Sequence, residues 1–203
     1  MKVQGLTGCN VSSIVIDRLC DCAREQSIAV ACFYFDFAAQ KEQSPVSVMG
    51  ALLKQVVSGM VRVPEEIAQA YEDQKKVIGG RPPQLTDIVN MLQITSSEKP
   101  TFICIDALDE CAPGNRIKLL DSLNEILLKS PGTRIFVTGR PQIGPEVKRR
   151  LYGKVTSLPI SPMKGDVIGY LHSRLGEDTD PDAMDSILEA DILDKIPQHF
   201  SEM

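Results

Sequence analysis

Three carboxylates in five residues, Asp106, Asp109 and Glu110, follow the apolar run Phe102-Ile103-Cys104-Ile105. A buried strand that ends in Asp delivers its carboxylate to the carboxyl edge of a sheet, where α/β proteins gather their ligands. A carboxylate in that place can hold Mg²⁺ through water. Asp109 and Glu110 could then orient a water for attack on a phosphoryl group. The plainer alternative is that Asp106 caps the next turn and that the other two are solvated surface. For a single strand-terminal Asp the plainer alternative holds; three carboxylates after a buried run favour the Mg²⁺-and-phosphate reading.

A second candidate lies in Thr138-Gly139-Arg140-Pro141, directly after the apolar run Ile135-Phe136-Val137. Arg140 is either a cation able to approach a terminal phosphate or a surface arginine after a strand. Lys148-Arg149-Arg150 sits on a helical pattern and reads as a solvated face, because the whole chain is acidic. Neither His172 nor His199 lies near a nucleophile elbow, so Ser-His-Asp chemistry has no support. The six cysteines, at 9, 20, 22, 32, 104 and 111, form no C-x-x-C pair, and both histidines are distant from them. That spacing argues against zinc and for reduced, mostly buried thiols in an intracellular, cytoplasmic chain.

These side chains need a scaffold, and the apolar pattern supplies one. Residues 27–35, 101–106 and 134–138 are short continuous apolar runs, with a weaker run at 155–158 and a fragment at Lys2-Val3-Gln4. Strands that do not alternate polar with apolar are covered on both faces, as in a parallel sheet between helices. Helical spacing appears over residues 12–25, after Ser44-Pro45, near 65–76, after Thr86, over 115–129 and after Ser161-Pro162. Residues 79–83 read as a loop and the acidic stretch 177–182 as a linker. The fold class expected is α/β: a three-layer parallel sheet flanked by helices, with a short helical C-terminal extension. Residues 1–160 would form the core and 161–203 the start of a following helical region.

The 203 residues suit one domain with an appendage. With 22 basic and 27 acidic residues the net charge is −5, which argues against a general nucleic-acid binder. No apolar run approaches the roughly 20 residues of a membrane span, and no signal peptide opens the chain.

Taken in order, several segments resemble one family. Asp106-Ala107-Leu108-Asp109-Glu110-Cys111 is similar to the Walker B box of NACHT domains, more narrowly to that of the nephrocystin-like N-terminal domain of fungal NACHT–ankyrin proteins. Ser12 to Asp17 resembles the helix after that family's P-loop, Phe33 to Phe37 its second strand, and Pro45 to Leu53 the helix that follows. Thr138-Gly139-Arg140-Pro141 resembles its sensor-1 element, and Asp166 to Leu171 the start of its next helical region. The resemblance spans nearly all of residues 5–175. It implies a P-loop NTPase fold, with Asp106 as the metal carboxylate and Asp109, Glu110 and Arg140 as catalytic candidates. Gly5, Gly8 and Ser12 become the nucleotide-contacting residues, and the cofactor ATP or GTP with Mg²⁺.

The chain departs from that family at the phosphate loop. A P-loop reads G-x-x-x-x-G-K-[ST]; its N–H groups cradle phosphates, its Lys reaches the β- and γ-phosphates and its hydroxyl binds Mg²⁺. Gly5-Leu6-Thr7-Gly8-Cys9-Asn10-Val11-Ser12 stands there instead. Aligned without a gap, Asn10 replaces the second glycine, Val11 replaces the lysine and Ser12 keeps the hydroxyl. Aligned on the following helix, about three residues including the lysine are missing. Either way the segment is a residual phosphate site or a plain strand-to-helix turn, and nucleotide binding is expected to be weak or absent. Three functions remain open: a nucleotide switch, an interaction domain that pairs with other proteins of the family, or a truncated relic, since the chain begins near the P-loop and stops where repeats would follow.

Overall fold

The computed structural model describes residues 8–76, 83–151, 155–160, 163–176 and 185–199. They fall into two units, one from Gly8 to Thr156 and one from Ser157 onward. In the first unit, strands β1 (Ala29–Tyr34), β2 (Thr101–Asp106) and β3 (Thr133–Val137) form a parallel sheet in the order β1-β2-β3. Helix α1 (Gly8–Glu25) precedes β1. Helices α2 (Pro45–Ser58), α3 (Glu65–Lys76) and α4 (Leu85–Glu98) lie between β1 and β2. Helix α5 (Pro113–Lys129) connects β2 to β3, and α6 (Gly144–Arg150) follows β3. Every strand-to-strand connection is therefore helical, as parallel pairing requires.

Side-chain alternation divides the two faces of the sheet. Ala31, Ile103 and Ile105 point into the main core, where Val48, Met49, Leu52 and Val56 of α2, Ile88 and Leu92 of α4, and Leu119, Leu120, Leu123 and Ile126 of α5 surround them. Cys32, Cys104 and Asp106 share the opposite face, and α1 lies on it, because Ser12 of that helix reaches Asp106. This is the three-layer α/β arrangement expected from the continuous apolar strands.

The helix starts follow from local chemistry. Ser44 caps α2 by accepting the Ser47 N–H at 3.2 Å, with Pro45 in the first turn. The cap expected at Thr86 is displaced: α4 begins at Leu85, and the Asp87 carboxylate accepts the Gln84 N–H at 2.9 Å. An acidic residue one turn in reaches back to the cap better than the shorter Thr hydroxyl does.

The two edges of the sheet differ. On β1, the Gln55 side chain of α2 accepts from Cys32 N at 2.9 Å and donates to Cys32 O at 2.8 Å, taking the place of a neighbouring strand. On β3 no described strand follows. Ile135 and Val137, expected to be as buried as Ile103 and Ile105, are only half-buried for that reason. The weak run at 155–158 is not a strand; residues 155–160 have no regular structure, although Val155 packs against the core. Two of its four residues are polar, and a strand exists only where a ladder partner is offered. Lys2-Val3-Gln4, most of the loop at 79–83, Ser161-Pro162 and the acidic stretch 177–182 lie outside the described residues.

The second unit contains α7 (Lys164–Gly176) and α8 (Ser186–His199), which pack on each other. Asp166 accepts the Met163 N–H at 3.0 Å ahead of α7, and Asp185 accepts from Ile187 N and Leu188 N ahead of α8. Among the described residues no helix is long and apolar enough to cross a membrane.

Gln55→Leu keeps the side-chain size but strands both Cys32 backbone groups. An unpaired, partly buried polar group costs about 1–3 kcal/mol. Urea unfolding should show a lower midpoint with an unchanged slope; an unchanged midpoint would mean that water replaces the amide fully.

Candidate functional site

The site is built where β2 and β3 end. β2 runs into Asp106, whose side chain is 4% exposed, and β3 runs into Thr138 in the neighbouring register position. Ser12, 1% exposed in the second turn of α1, donates its hydroxyl hydrogen to Asp106 Oδ1. The Thr138 hydroxyl donates to the same carboxylate oxygen at 2.5 Å and lies 3.4 Å from Ser12 Oγ. Thr138 Oγ1 also accepts from Ala107 N at 3.1 Å, and Thr138 O accepts from Leu108 N at 3.0 Å. Three elements of separate origin in the sequence thus meet on one oxygen.

The turn after β2 is bent by Ala107, which sits in the left-handed region at φ 51°. A non-glycine residue there carries strain of roughly 1 kcal/mol. It brings Leu108 into the core and aims Asp109 sideways rather than along the strand. Asp109 Oδ1 accepts from Arg140 N at 3.1 Å, and its Oδ2 lies 3.3 Å from Arg140 Nε. Asp109 is 9% exposed but Arg140 is 72% exposed, so the ion pair itself contributes little, about 0–1 kcal/mol. Gly139 leaves room for this closeness: a Cβ there would lie 2.7 Å from Ile143 Cδ1 and 3.2 Å from Asp109 Oδ1, so the Ile143 side chain would have to turn aside.

Glu110 is turned away from Asp106. Its carboxylate accepts from Phe37 N at 3.0 Å and its carbonyl from Gln40 Nε2 at 2.7 Å, which fixes the short helical turn after β1. Arg116 braces the other side: Nε meets Glu146 Oε2 at 2.8 Å, and Nη1 donates to Cys111 O at 3.0 Å. Burial pushes the Cys111 thiol up to about 11, with Arg116 pulling down and Glu146 pushing up. Burial, then Cys32 and Cys20, push Cys104 up to about 12.

Of the residues singled out in the sequence, Asp106 and Ser12 are brought together, Asp109 and Arg140 form a second pair, and Glu110 joins neither. Gly8 opens α1, and Gly5 lies outside the described residues. Thr138 is the addition: it stood in the Thr-Gly-Arg-Pro box, but only the register of β3 against β2 shows that its hydroxyl faces Asp106. A carboxylate and two hydroxyls are hard oxygen donors and fit Mg²⁺. Among the described residues no three His, Cys, Asp or Glu side chains converge on a metal position, so an ion here would need phosphate and water oxygens as well. An apolar groove of about 640 Å³ lined by residues of α2, α3 and α4 shares no residue with this cluster.

The family described as Nephrocystin 3, N-terminal, matches residues 5–140, a span that takes in Ser12, the whole sheet, the three carboxylates and Arg140. Among solved structures, the ORC1 protein of Aeropyrum pernix, determined in complex with DNA, is 21% identical with a TM-score of 0.50, over 93% of this chain and 47% of that one. The Walker-type ATPase PABY2304 of Pyrococcus abyssi is 11% identical with a TM-score of 0.40, over 91% of this chain and 63% of its own. The chain spans about half the length of the ORC1 chain it matches, and that likeness bears on the fold. No curated protein matches the sequence.

Two outcomes check this geometry. Thr138→Val removes the hydroxyl shared by Asp106 and Ala107 and should lower stability by about 1–3 kcal/mol in chemical denaturation. The thiols set an alkaline limit. Their folded values lie above the ordinary 9.0, so the unfolded chain ionises first and stability falls from pH 9 towards pH 11–12. The Cys104→Ala/Cys111→Ala double variant should show a shallower fall over that window; an equal slope would assign the loss to other groups.

Proposed function

The chain belongs to the nephrocystin 3 N-terminal family, and from that premise we propose a NACHT-like nucleotide-switch domain whose ATP site is impaired. Its work is protein interaction rather than turnover. The observation that carries this reading is the meeting of Ser12, Asp106 and Thr138 at the carboxyl edge of the sheet, together with a sequence over 5–12 that contains neither lysine nor arginine. The hydroxyl–carboxylate pair is the arrangement that P-loop NTPases use for Mg²⁺. Its presence favours the gap-free alignment, in which Ser12 keeps the hydroxyl and Val11 stands for the lysine.

In this reading Ser12 and Asp106 hold Mg²⁺, which when bound neutralises phosphate oxygens of ATP or GTP. Gly5 and Gly8 supply backbone contacts. Asp109 and Arg140 act as a pair that responds to the terminal phosphate, and Glu110 braces the turn at Phe37 instead of activating water. The missing lysine removes a charge-assisted contact worth roughly 1.5–3 kcal/mol, or about one to two decades in affinity. Without it, Asp106 faces a polyanion with little to offset it, since Arg140 is paired with Asp109, and the charge stabilisation that dominates phosphoryl transfer is reduced. The partners proposed are proteins; the net charge of −5 disfavours nucleic acid.

Calorimetric titration with ATP and Mg²⁺, beside a phosphate-release assay, tests this. The chain should bind weakly and turn over negligibly. In the gap-free alignment Asn10→Gly/Val11→Lys restores the glycine and the lysine before Ser12 and should tighten binding by at least about tenfold, and Asp106→Ala should cancel that gain. Micromolar binding by the unaltered chain, with turnover abolished by Asp106→Ala, would overturn the proposal.

A further inference from the structure

We propose that Arg116 and Glu146 are positioning residues for the Asp109–Arg140 pair: their enclosed contact sets the geometry in which the exposed one forms. Two segments carry the four side chains. One runs from the turn after β2 into the first turn of α5, and the other from the end of β3 into the first turn of α6. Two polar rungs join them, Asp109 to Arg140 and Arg116 to Glu146. The rungs are unequal. Arg140 is 72% exposed, so water competes for its guanidinium. Arg116 and Glu146 are 13% and 17% exposed, with Nε 2.8 Å from Oε2. Opening an ion pair so enclosed leaves two poorly hydrated charges, which is far costlier.

The inner rung also has a second arm. Arg116 Nη1 donates to Cys111 O at 3.0 Å and lies 3.5 Å from Asp109 O. One guanidinium thus holds α6 through Glu146 and, at the same time, the backbone of the turn that aims Asp109. From Glu146 the chain leads back to Arg140 through the short turn Pro141–Ile143. That turn is itself pinned, because Ile143 N donates to Arg140 O at 3.2 Å and the Ile143 side chain is buried. Ile143, Val147 and Leu151 hold this segment on the core by apolar contact. Such contact tolerates small slides, whereas a fork of directed donors does not.

The coupling between two contacts is equal in energy in both directions. Only a contact near the midpoint of its own opening changes population visibly when that energy is lost. The exposed rung is the one near its midpoint. Loss of the inner rung therefore opens the outer one, and loss of the outer rung leaves the inner one closed. What the Asp109–Arg140 pair does towards a phosphate rests on the function proposed above. Its positioning does not, and it is read in the chain without nucleotide, so the two stand or fall separately.

Hydrogen exchange at the Arg140 amide, which donates to Asp109, and the magnetic resonance signal of the Arg116 Nε–H decide the matter. Glu146→Ala removes the inner rung, and Arg116→Lys leaves a cation that cannot fork between Glu146 and the Cys111 carbonyl. Each should speed exchange at Arg140 by about tenfold. The Leu108 amide, bound to Thr138 O, should be unchanged. Glu146→Gln still offers an oxygen to Arg116 Nε and should return the Arg140 amide to near its original rate. Arg140→Gln should leave the Arg116 Nε–H signal where it is. If Glu146→Ala fails to fold, Arg116→Lys, which strands no charge, decides with Arg140→Gln. An unaltered rate at Arg140 in the inner-rung variants, an equal acceleration at Leu108, or a displaced Arg116 signal in Arg140→Gln would each overturn the proposal.

Discussion

The Asp106 carboxylate is the point on which the first unit depends. It is almost fully buried, yet it is met by hydroxyls from a helix more than ninety positions away in sequence and from the next strand. Burying a carboxylate without donors would be prohibitive. Ser12 and Thr138 make it tolerable, and in doing so they fix the height of α1 over the sheet and the register of β3 against β2. A lone apolar strand end would have left both free to slide. The polar contact therefore supplies specificity that the surrounding aliphatic side chains, which pack well in several arrangements, do not.

Much of this was legible in the residues themselves. Continuous apolar runs at 101–106 and 134–138 read as parallel strands, and they pair in parallel. Ser44-Pro45 marked a helix start because both residues act within one turn. What was not legible depends on partners. The burial of Ile135 and Val137 hinges on a neighbour that a periodicity cannot supply. Thr86 and Gln84 compete for one cap, and only the backbone path decides. The paired carboxylates 109 and 110 look equivalent in the sequence, but the left-handed turn at Ala107 sends one to Arg140 and the other to Phe37. Chemistry read from spacing places such groups on a loop; it does not say which way each faces.

The two pairings at the strand ends also separate roles that a motif merges. Asp109 is nearly enclosed and receives a backbone N–H, so it shapes the turn after β3 whatever its solvated arginine does. Arg116 holds the carbonyl of Cys111 while itself balanced by Glu146, two side chains each less than a fifth exposed. Removing either partner would leave a charge stranded in a poorly hydrated position, a larger penalty than losing the pair on the surface. The loop that follows β2 is therefore anchored from three directions: β3, α5 and the turn after β1.

Thr138 offers four attachment points to the β2 side, through its N–H, its carbonyl and both capacities of its hydroxyl. At the other end the ladder pairs Thr101 with Thr133 and Phe102 with Arg134, and the one bond added to it runs from Thr101 N to Gly132 O at 3.3 Å. The carboxyl end of this strand pair therefore carries more attachments beyond the ladder than the amino end does, and it acts as the clasp: local fraying costs most beside Asp106.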